Sequence, residues 1–379
     1  MKKIKVLMVA GTMNVGGQEN QIMNILRYAD REQFQIDYTS TVEDAFYRQE
    51  IESLGGKCIQ IPEIDWKCPQ KYCNKLECVM KKGHYDIVHS HELFHTGITL
   101  KVAAKAGVPI RIAHSHSGSD GNGQHRTIVR KIYNRLMRNL ILKYSTEQIA
   151  CSTNAGSFLY GDTAINQPNY HLIFNSVNTQ QFLECYGKSG TLGVNHDWKS
   201  VLHVGHVIPI KNQDFLVDVA EVLRNRGEKI NIFCVGPGND DYIAQVNEKI
   251  IAKHLESYIT LIGLRRDVPD LMRKADAFVL PSRYEGMPLV MIEAQASGLP
   301  CVAADTFSRE VDFGIGQVQW MKLEAGAEAW ADALVAAVQR ERAAKNEVEK
   351  AIVQNGFDSR LYAERVLSVY RKALGQYYD

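Results

Sequence analysis

The sequence has almost no excess charge of either sign, and this limits the partners it can have. Its 379 residues include 44 lysines and arginines and 43 aspartates and glutamates, so the formal net charge is +1. A protein that binds nucleic acid mainly through phosphate contacts normally carries a basic excess. The composition therefore gives no support for a nucleic-acid partner.

The sequence also lacks long apolar runs. The N-terminal run MKKIKVLMVAG ends at Gly11 and the polar Thr12, too early for the apolar core and cleavage site of a secretory signal peptide. We find no run of the about 20 apolar residues that a membrane-spanning helix needs. We therefore expect a cytoplasmic protein whose first apolar run is a buried strand.

Cysteine is present, but its spacing does not favour a metal site. Among the eight cysteines, Cys68, Cys73 and Cys78 recur every five residues. This spacing matches neither the usual zinc-ligand pattern nor one face of a helix. We expect most of the cysteines to be reduced and buried, and we expect no metal there.

Short apolar runs alternate with amphipathic helical patterns along the chain. The alternation predicts an α/β fold of βαβ units with parallel sheets, in two successive sets that form two Rossmann-like, doubly wound domains. The strand candidates are residues 5–10, 34–39, 58–61, 87–90, 110–114, 148–152 and 171–174 in the first set, and 201–204, 230–235, 258–261, 277–280, 301–303 and 316–320 in the second.

A segment rich in glycine and serine, residues 186–193, is suited to a linker between the two sets. It places the first domain at residues 1–185 and the second at 186–355. A final helix in 356–379 is a candidate for packing back on the first domain. Because ligands bind outside the carboxyl ends of the strands in such sheets, two of these domains facing each other would form a cleft.

The loop after the first strand candidate contains two adjacent glycines, Gly16 and Gly17, before a helical pattern. Glycine lets the backbone approach a ligand closely, and a helix start offers unpaired N–H groups. The loop is neither a Walker loop nor a Gly-x-Gly-x-x-Gly dinucleotide loop. A ligand-binding loop and a flexible turn both remain open.

Three later loops that follow strand candidates combine glycine with positive charge. Gly205 precedes Lys211, Gly236 lies in a Gly-Pro-Gly segment, and Gly263 precedes Arg265. Such loops should meet at one edge of the second sheet. They predict a site for an anionic nucleotide, in which Lys211 neutralises phosphate as a point charge.

Two neighbouring strand candidates end in His-x-His, with His89 and His91 on the first and His114 and His116 on the second. The pattern is open to three interpretations. The histidines can bind zinc, given a further ligand at the right geometry. One of them can orient a substrate hydroxyl. They can also be hydrogen-bonded residues that pack at the strand ends.

Two glutamates, Glu285 and Glu293, flank the start of an apolar segment. Pro288 and Gly298 predict a helix over residues 288–297, whose first turn favours an anion such as a diphosphate. Helical side chains lean towards the N-terminus, so Glu293 can reach a vicinal diol such as a ribose, and Glu285 can hold hydroxyls of an attached sugar. The alternative is an acidic residue that favours the helix dipole beside a chance second glutamate.

Residues 282–294 resemble the E-x7-E signature of glycosyltransferase family 4, whose members are retaining enzymes with the GT-B fold. The resemblance is greatest to bacterial capsule and exopolysaccharide transferases. Further matches follow in the family's order over nearly the whole chain: Gly16-Gly17-x-Glu19, His114 and His116, Asn175-Ser-Val-Asn, Gly205 with Lys211-Asn212, Gly236-Pro-Gly, and Gly263 with Asp267-Val-Pro.

The resemblance implies transfer of a sugar from a nucleotide-sugar, with a UDP-sugar favoured, to a hydroxyl of a glycan or polyprenyl-linked acceptor. It implies no metal and no other cofactor, because Lys211 would neutralise the leaving group. Two other readings are a GT-B nucleotide-sugar epimerase and a non-catalytic nucleotide-sugar-binding subunit. Donor turnover with and without an acceptor separates them.

The resemblance also implies roles for single residues. The catalytic set would be Glu285, Lys211 and His116, with His114 an alternative to His116. The family commonly has arginine where this chain has His206, so His206 would have to be protonated or another group such as Arg283 would have to help neutralise phosphate. The donor-binding set would be Gly16, Gly17, Gly205, His206, Lys211, Gly236, Arg265 near the base, Glu285, the backbone of Gly286, Met287, Pro288 and Leu289, and Glu293 on the ribose.

The segment 126–143 contains six basic residues and no acidic one, with Ile128, Ile132, Leu136 and Leu140 on one helical stripe. Val129 and Met137 lie beside that stripe. Such a helix can lie on an anionic bilayer, where a lipid-linked acceptor would be found at the inner face of the membrane. It can equally be an ordinary domain helix with a solvated basic face.

Overall fold

The computed structural model describes residues 3–378 apart from 15, 66, 119–127, 185, 188–189, 191 and 194–196. The chain divides into two compact units: unit 1 comprises Met1–Ser176 and Ser359–Asp379, and unit 2 comprises Val177–Asp358. The division falls before the glycine-rich segment at which the sequence analysis placed it. Cys185, Arg126, Thr127 and parts of the predicted linker lie outside the described residues.

Each unit contains a parallel sheet. In the described residues of unit 1 the strand order is β3-β2-β1-β4-β5-β6-β7, and in those of unit 2 it is β10-β9-β8-β11-β12-β13. Every predicted strand is present, within two residues of its predicted ends. The strands are β1 Ile4–Val9, β2 Phe34–Ser40, β3 Cys58–Gln60, β4 Ile87–Ser90, β5 Ile110–Ser115, β6 Glu147–Ala150, β7 Tyr170–Leu172, β8 Lys199–Val204, β9 Ile230–Val235, β10 Ile259–Gly263, β11 Ala277–Leu280, β12 Cys301–Ala304 and β13 Val318–Met321.

Helices connect the successive strands, except that β12 and β13 are joined through a short 3-10 helix, Arg309–Val311, in the described residues. The last helix returns to unit 1. The helices are α1 Gly17–Tyr28, α2 Arg48–Ser53, α3 Gln70–Gly83, α4 Thr96–Lys105, α5 Ile128–Tyr144, α6 Thr153–Tyr160, α7 Thr179–Glu184, α8 Gln213–Asn225, α9 Asp240–Ala252, α10 Val268–Lys274, α11 Leu289–Ala296, α12 Gly326–Ala337, α13 Lys345–Asn355 and α14 Ser359–Tyr378. In the part of the chain described, no helix combines the length and the apolar character needed to cross a bilayer.

The sheet of unit 1 has a core on each face, because successive side chains of a strand point to opposite sides. Val6 and Met8 of β1 pack in the cluster that includes α1 and α14. Leu7 and Val9 pack in the opposite cluster, with residues of α3, α4 and α5. The returning helix α14 therefore completes one face of the sheet of unit 1.

The central strands of unit 2 are buried on both faces. All four residues of β11 and all four of β12 are buried, which explains their continuous apolar sequences. Trp330 of α12 packs edge-on against Phe215 of α8, with ring centroids 5.5 Å apart. This buried sheet holds the loops that carry the predicted nucleotide site.

Candidate functional site

Three glycine turns meet at the carboxyl edge of the unit 2 sheet. The Gly205 amide donates to the Val235 carbonyl at 2.9 Å, and the Gly236 amide donates to the Gly263 carbonyl at 2.8 Å. Gly236 has a φ of +145°, and a β-carbon there would lie 2.1 Å from the carbonyl oxygen of Gly205. The turns therefore lie side by side, and Gly236 has no room for a side chain.

Lys211 and Glu285 are in direct contact at this edge. The Lys211 Nζ lies 2.5 Å from the Glu285 Oε1, and the Ser282 hydroxyl donates to the same oxygen at 2.6 Å. The two charged side chains are only 19% and 9% exposed. The structure thus brings together two of the three residues predicted to be catalytic.

A second set of bonds holds the loop after β11 against the turn before α8. The Arg283 amide donates to the Ile210 carbonyl at 2.8 Å. The Arg283 guanidinium donates to the Asn212 Oδ1 through Nε at 3.1 Å and Nη2 at 3.0 Å. Asn212 has a φ of +64°, which asparagine tolerates better than most residues. Asn212 was not predicted to take part in the site, although it directly follows Lys211 in the sequence.

Helix α11 begins beside Glu285 with unpaired amide groups. Within the described residues, the amides of Gly286, Met287 and Leu289 have no hydrogen-bond acceptor. Pro288, which precedes the helix, has no N–H. The predicted amide cradle for a diphosphate is therefore corrected to three donors, with Pro288 fixing the backbone shape. Free N–H groups at a helix start favour an anion.

Glu293 lies in the second turn of α11, between the buried Ile292 and Ala294. Its carboxylate accepts no hydrogen bond from any residue in the described part of the chain. Burial raises the pKa of Glu293 to about 7. A desolvated carboxylate without donors is unfavourable, so this group is suited to accept hydrogen bonds from a ligand.

His206 is exposed, and its backbone rather than its ring is held in place. Its carbonyl accepts a hydrogen bond from the Gln213 Nε2 at 2.9 Å. The same Nε2 lies 3.1 Å from the His203 Nε2, while the His203 Nδ1 lies 3.0 Å from the Val279 carbonyl. Burial lowers the pKa of His203 to about 4. His203 and Gln213, which the sequence analysis did not single out, thus support the turn that carries Gly205.

Arg265 lies two residues after Gly263, in the loop that follows β10. Its side chain is exposed and donates to Asp267 through Nε at 2.8 Å and Nη2 at 2.6 Å. This ion pair raises the pKa of Arg265. The hydrogen-bonding edge of the guanidinium is therefore in use, which leaves its flat face for the predicted contact with a base.

In unit 1, the predicted glycine loop leads directly into α1, with Gly16 as the cap and Gly17 as the first helical residue. The Glu19 carboxylate lies directly against the cap residue Gly16. A β-carbon added at Gly16 would be 2.2 Å from the Glu19 Oε2. Burial raises the pKa of Glu19. An acidic group therefore already occupies the start of α1 where the resemblance implies a nearby diphosphate.

Four histidines form a compact array at the ends of β4 and β5. The His89 Nε2 lies 3.2 Å from the His114 Nδ1, and the His91 Nδ1 lies 2.8 Å from the His116 Nε2. The two hydrogen-bonded pairs lie against each other. The rings of His114 and His116 stack with centroids 4.0 Å apart, and those of His89 and His91 are tilted by 39° with centroids 4.2 Å apart. Burial lowers the pKa of all four, that of His116 to about 4. The array is therefore uncharged near pH 7.

The array also contains the donor set of a metal site. His89, His91 and His114 each place one ring nitrogen within 4.8 Å of the others. Zinc would require lone pairs that converge on an ion about 2.0–2.1 Å from each nitrogen. In the structure, nitrogens of His89 and His114 instead face each other across a hydrogen bond. The observed geometry is that of hydrogen-bonded neutral imidazoles.

The basic helix α5 exposes part of its apolar stripe. Ile128, Ile132 and Leu136 are 77%, 56% and 55% exposed. Met137, which lies beside the stripe, is buried in the core of unit 1. Arg138 is also engaged, since its guanidinium donates to the carbonyls of residues 158 and 159 at 2.7 and 3.1 Å.

Comparison with known proteins identifies the family. Residues 15–181 match the family described as Glycosyltransferase Family 4, and residues 199–340 match that described as Glycosyl transferases group 1. EpsF of Bacillus subtilis (strain 168), which carries the name of a glycosyltransferase, is 32% identical over 372 residues, covering 97% of this chain and 96% of EpsF. The chain belongs to glycosyltransferase family 4. The resemblance found in the sequence is confirmed, and the chain is a glycosyltransferase.

Two further relatives are also named as glycosyl-group transferases. The capsular polysaccharide biosynthesis glycosyltransferase CapH of Staphylococcus aureus is 29% identical over 297 residues, covering 77% of this chain and 78% of CapH. The UDP-Gal:alpha-D-GlcNAc-diphosphoundecaprenol alpha-1,3-galactosyltransferase of Escherichia coli is 30% identical over 240 residues, covering 60% of this chain and 59% of that enzyme. These relatives favour neither an epimerase nor a non-catalytic subunit.

The fold is shared with solved structures. The crystal structure of Anabaena Alr3699/HepE in complex with UDP and glucose has a TM-score of 0.75 and 17% identity, covering 97% of this chain and 99% of that chain. A likeness at this identity shows the fold. It confirms the predicted pair of Rossmann-like domains of the GT-B type.

Proposed function

We propose that this glycosyltransferase is a retaining, metal-independent enzyme that transfers a hexosyl or N-acetylhexosaminyl group from a nucleotide-sugar, with UDP as the favoured nucleotide. The acceptor is a hydroxyl of a glycan or polyprenyl-linked glycan in the synthesis of a cell-surface polysaccharide. One observation carries the proposal: Lys211 and Glu285 meet at the start of α11, whose first amides and Glu293 have no partner in the described residues. This arrangement has a separate group for each part of a nucleotide-sugar.

The proposal assigns the diphosphate to Lys211 and to the first amides of α11. Both supply positive charge at the point where the leaving group gains negative charge. These fixed charges take the place of a divalent cation, which is why we propose that no metal is required. The Glu293 carboxylate then accepts hydrogen bonds from the two ribose hydroxyls, and the flat face of the Arg265 guanidinium lies near the base.

Glu285 binds the transferred sugar rather than attacking it. Its Oε1 is occupied by Lys211 and the Ser282 hydroxyl, while its Oε2 accepts no hydrogen bond in the described part of the chain. The free oxygen can accept a hydrogen bond from a sugar hydroxyl. A carboxylate held by a lysine is a poor nucleophile, so trapping a covalent glycosyl-enzyme on Glu285 would overturn this assignment.

Retention then follows from attack on the face that the diphosphate leaves. The bond between the anomeric carbon and the phosphate oxygen breaks, and both electrons stay with the diphosphate. The acceptor oxygen forms the new bond to the same carbon, and its proton passes to the departing phosphate oxygen. Lys211 and the start of α11 stabilise the charge that develops.

The acceptor side is proposed for unit 1. The histidine array is uncharged near pH 7, so it can orient a hydroxyl by hydrogen bonds but is a poor base. His116 is the histidine that the resemblance implies for this task, and the loop of Gly16 and Gly17 lies at the same edge of the sheet. The exposed apolar and basic residues of α5 further support contact with an anionic membrane, where a lipid-linked acceptor is held.

The first experiment measures binding of UDP, GDP, ADP, CMP and NAD by calorimetry in the presence of EDTA. Wild type is compared with Glu293→Ala and with Glu349→Ala, a control that removes an exposed glutamate of α13 in the same unit. We expect one nucleoside diphosphate, UDP, to bind to wild type and to the control. Binding to Glu293→Ala should be at least about tenfold weaker, because two hydrogen bonds to a charged group are lost.

Equal binding by wild type and Glu293→Ala would refute the ribose role. Binding only after Mg²⁺ or Mn²⁺ replaces EDTA would refute metal independence while leaving the nucleotide site intact. The anomeric configuration of the transfer product, read by NMR, then tests retention. An inverted product would exclude the attack geometry proposed above.

A further inference from the structure

The histidine array has a partner in the C-terminal helix that the proposed mechanism does not use. Tyr370 of α14 is fully buried, and its hydroxyl lies 2.6 Å from the His89 Nδ1. The two rings meet at 90° with centroids 5.7 Å apart. A residue from the end of the chain thus begins a hydrogen-bonded chain that runs from α14 through β4 to β5.

The other end of this chain is a buried nitrogen without a partner. Tyr370 contacts His89, His89 contacts the His114 Nδ1, and the His114 Nε2 has no hydrogen-bond partner in the described residues. A buried donor or acceptor in this state is rare in proteins. It takes a ligand oxygen or an ordered water when one is present.

The direction of the hydrogen bond between the Tyr370 hydroxyl and His89 determines which nitrogen of His114 carries the proton. A neutral imidazole carries one N–H, so the direction of each hydrogen bond determines its tautomer. If Tyr370 donates to the His89 Nδ1, the proton of His89 lies on Nε2 and is donated to the His114 Nδ1. The proton of His114 must then lie on Nε2.

Two observations favour Tyr370 as the donor. Burial raises the pKa of Tyr370 well above its ordinary value, so the hydroxyl keeps its proton. Among the described residues, the other acceptor within reach of that proton is the Met8 sulfur at 3.8 Å, and a thioether is a weak acceptor. The contact with the His89 Nδ1 at 2.6 Å is therefore the stronger bond for the hydroxyl to donate.

We propose that Tyr370 is a positioning residue that fixes His114 as the Nε2–H tautomer, so that His114 donates a hydrogen bond to an oxygen of the acceptor substrate. The inference rests on the proposed function, because the acceptor supplies that oxygen, directly or through one water. It adds His114 to the acceptor site beside His116, whose Nε2 is already engaged by His91.

Helix α14 provides a matched control. Tyr362 is also fully buried on this helix, but its hydroxyl has no hydrogen-bond partner in the part of the chain described. Tyr370→Phe and Tyr362→Phe each remove one buried hydroxyl from the same helix. A general effect on packing should appear in both variants, whereas a change in the histidines should appear only in Tyr370→Phe.

The test uses full-length protein labelled with ¹⁵N-histidine, in which NMR reports the nitrogen that carries each proton. We expect His89 and His114 to be single Nε2–H tautomers in wild type and in Tyr362→Phe. In Tyr370→Phe both should become mixtures of tautomers. The acceptor KM of Tyr370→Phe should rise about two- to tenfold, the effect of one lost hydrogen bond, with the donor KM unchanged.

Unchanged histidine tautomers in Tyr370→Phe would overturn the inference, as would equal changes in the two variants. A tautomer change without a change in acceptor KM would show that His114 does not contact the acceptor. If wild type transfers no sugar at all, the proposed function fails, whereas the NMR comparison still decides whether Tyr370 controls His114.

Discussion

The Lys211 ammonium lies 2.5 Å from the Glu285 carboxylate, although 74 positions separate the two residues in the chain. The contact joins the turn before α8 to the loop before α11. It neutralises the charge of the mostly buried Lys211 when no anionic ligand is bound, and it holds the ammonium beside the start of α11. One ion pair thereby positions two groups of the proposed donor site.

Replacing Lys211 should reduce transfer far more than it reduces nucleotide binding. Lys211→Ala removes the charge that stabilises the departing diphosphate, so we expect kcat to fall about 10²–10³-fold. Lys211→Arg keeps the positive charge with another geometry, so its kcat should lie between those of Lys211→Ala and wild type. Steady-state kinetics with a saturating donor measures this.

Lys229→Ala is the control for that comparison, because Lys229 is exposed and lies at the opposite end of the unit 2 sheet, before β9. It should leave kcat unchanged. A Lys211→Ala enzyme with normal kcat and a raised donor KM would show that Lys211 only binds the donor. The transition-state role would then be wrong.

The affinity for a nucleoside diphosphate should depend on pH through Glu293. Its pKa of about 7 in the free protein means that half of the molecules carry the neutral acid at that pH. Only the carboxylate accepts both ribose hydrogen bonds, so binding lowers this pKa and releases protons. Affinity should rise as the pH increases from 6 to 8 and then level off.

Calorimetry in two buffers with different ionisation enthalpies measures the protons released on binding at pH 7. We expect about half a proton for wild type, since half of the groups are protonated there. Glu293→Gln should bind more weakly and lose the part of the pH dependence that Glu293 supplies. Release of the same number of protons by Glu293→Gln would assign the titration to another group.

The fold was predictable because apolar strand segments alternate with helical segments throughout the sequence. Strands β4, β9 and β11 have the predicted bounds. Strand β11 is an uninterrupted apolar run, whereas β4 ends in His89 and Ser90 and β9 includes Asn231 in otherwise apolar segments. The division of the chain was harder to place. The chain passes from unit 1 to unit 2 after Ser176, where no glycine-rich segment marks the boundary. The predicted boundary therefore lay in the glycine-rich segment that follows.

The site was predictable where its residues are close in sequence and less so where the fold brings them together. Glu285 and Glu293 flank one helix start, and their spacing identified them. The contact of Glu285 with Lys211 required the fold of unit 2. The support from Asn212 and Gln213 was missed because it acts through backbone carbonyls and neighbouring side chains.

The pairing of the four histidines was likewise not predictable from the sequence, because it depends on how two strands align. Residues two positions apart in a strand point to the same face, so the two histidines of each His-x-His pattern lie on one side. Their pairing depends on the stagger of β4 against β5, in which His89 lies opposite Ile112. That register gives the pairs His89 with His114 and His91 with His116, which spacing within one strand does not reveal.

Adding one methyl group at Gly236 should disrupt the donor site. The β-carbon of Gly236→Ala would lie 2.1 Å from the Gly205 carbonyl oxygen, so the two turns must separate. We expect a loss of about 2–4 kcal/mol in the free energy of unfolding, from the clash and the unfavourable backbone angle together. Urea denaturation and UDP calorimetry measure the two effects.

Gly227→Ala separates the clash from the backbone angle. Gly227 has a φ of +69°, but a β-carbon there would meet nothing within 4 Å. This variant should lose about 1–2 kcal/mol of stability and retain nucleotide binding. Equal losses in the two variants would mean that close packing of the glycine turns is unimportant.

Helix α5 should bind anionic vesicles through its exposed face. The double variant Lys131→Glu and Arg135→Glu reverses two exposed charges next to the exposed Ile132 and Leu136. Each basic residue near an anionic surface contributes about 1 kcal/mol, so binding should weaken at least about tenfold. Cosedimentation with phosphatidylglycerol vesicles and with neutral phosphatidylcholine vesicles measures this.

The matched control is Lys75→Glu with Lys82→Glu, which makes the same change of charge at exposed positions of α3. It should bind vesicles as wild type does, because α3 exposes no apolar stripe beside these lysines. Arg138 is left intact, since its bonds to carbonyls of α6 hold the helix in place. Equal loss in both double variants would indicate a general charge effect, and wild type that ignores anionic vesicles would remove the membrane role of α5.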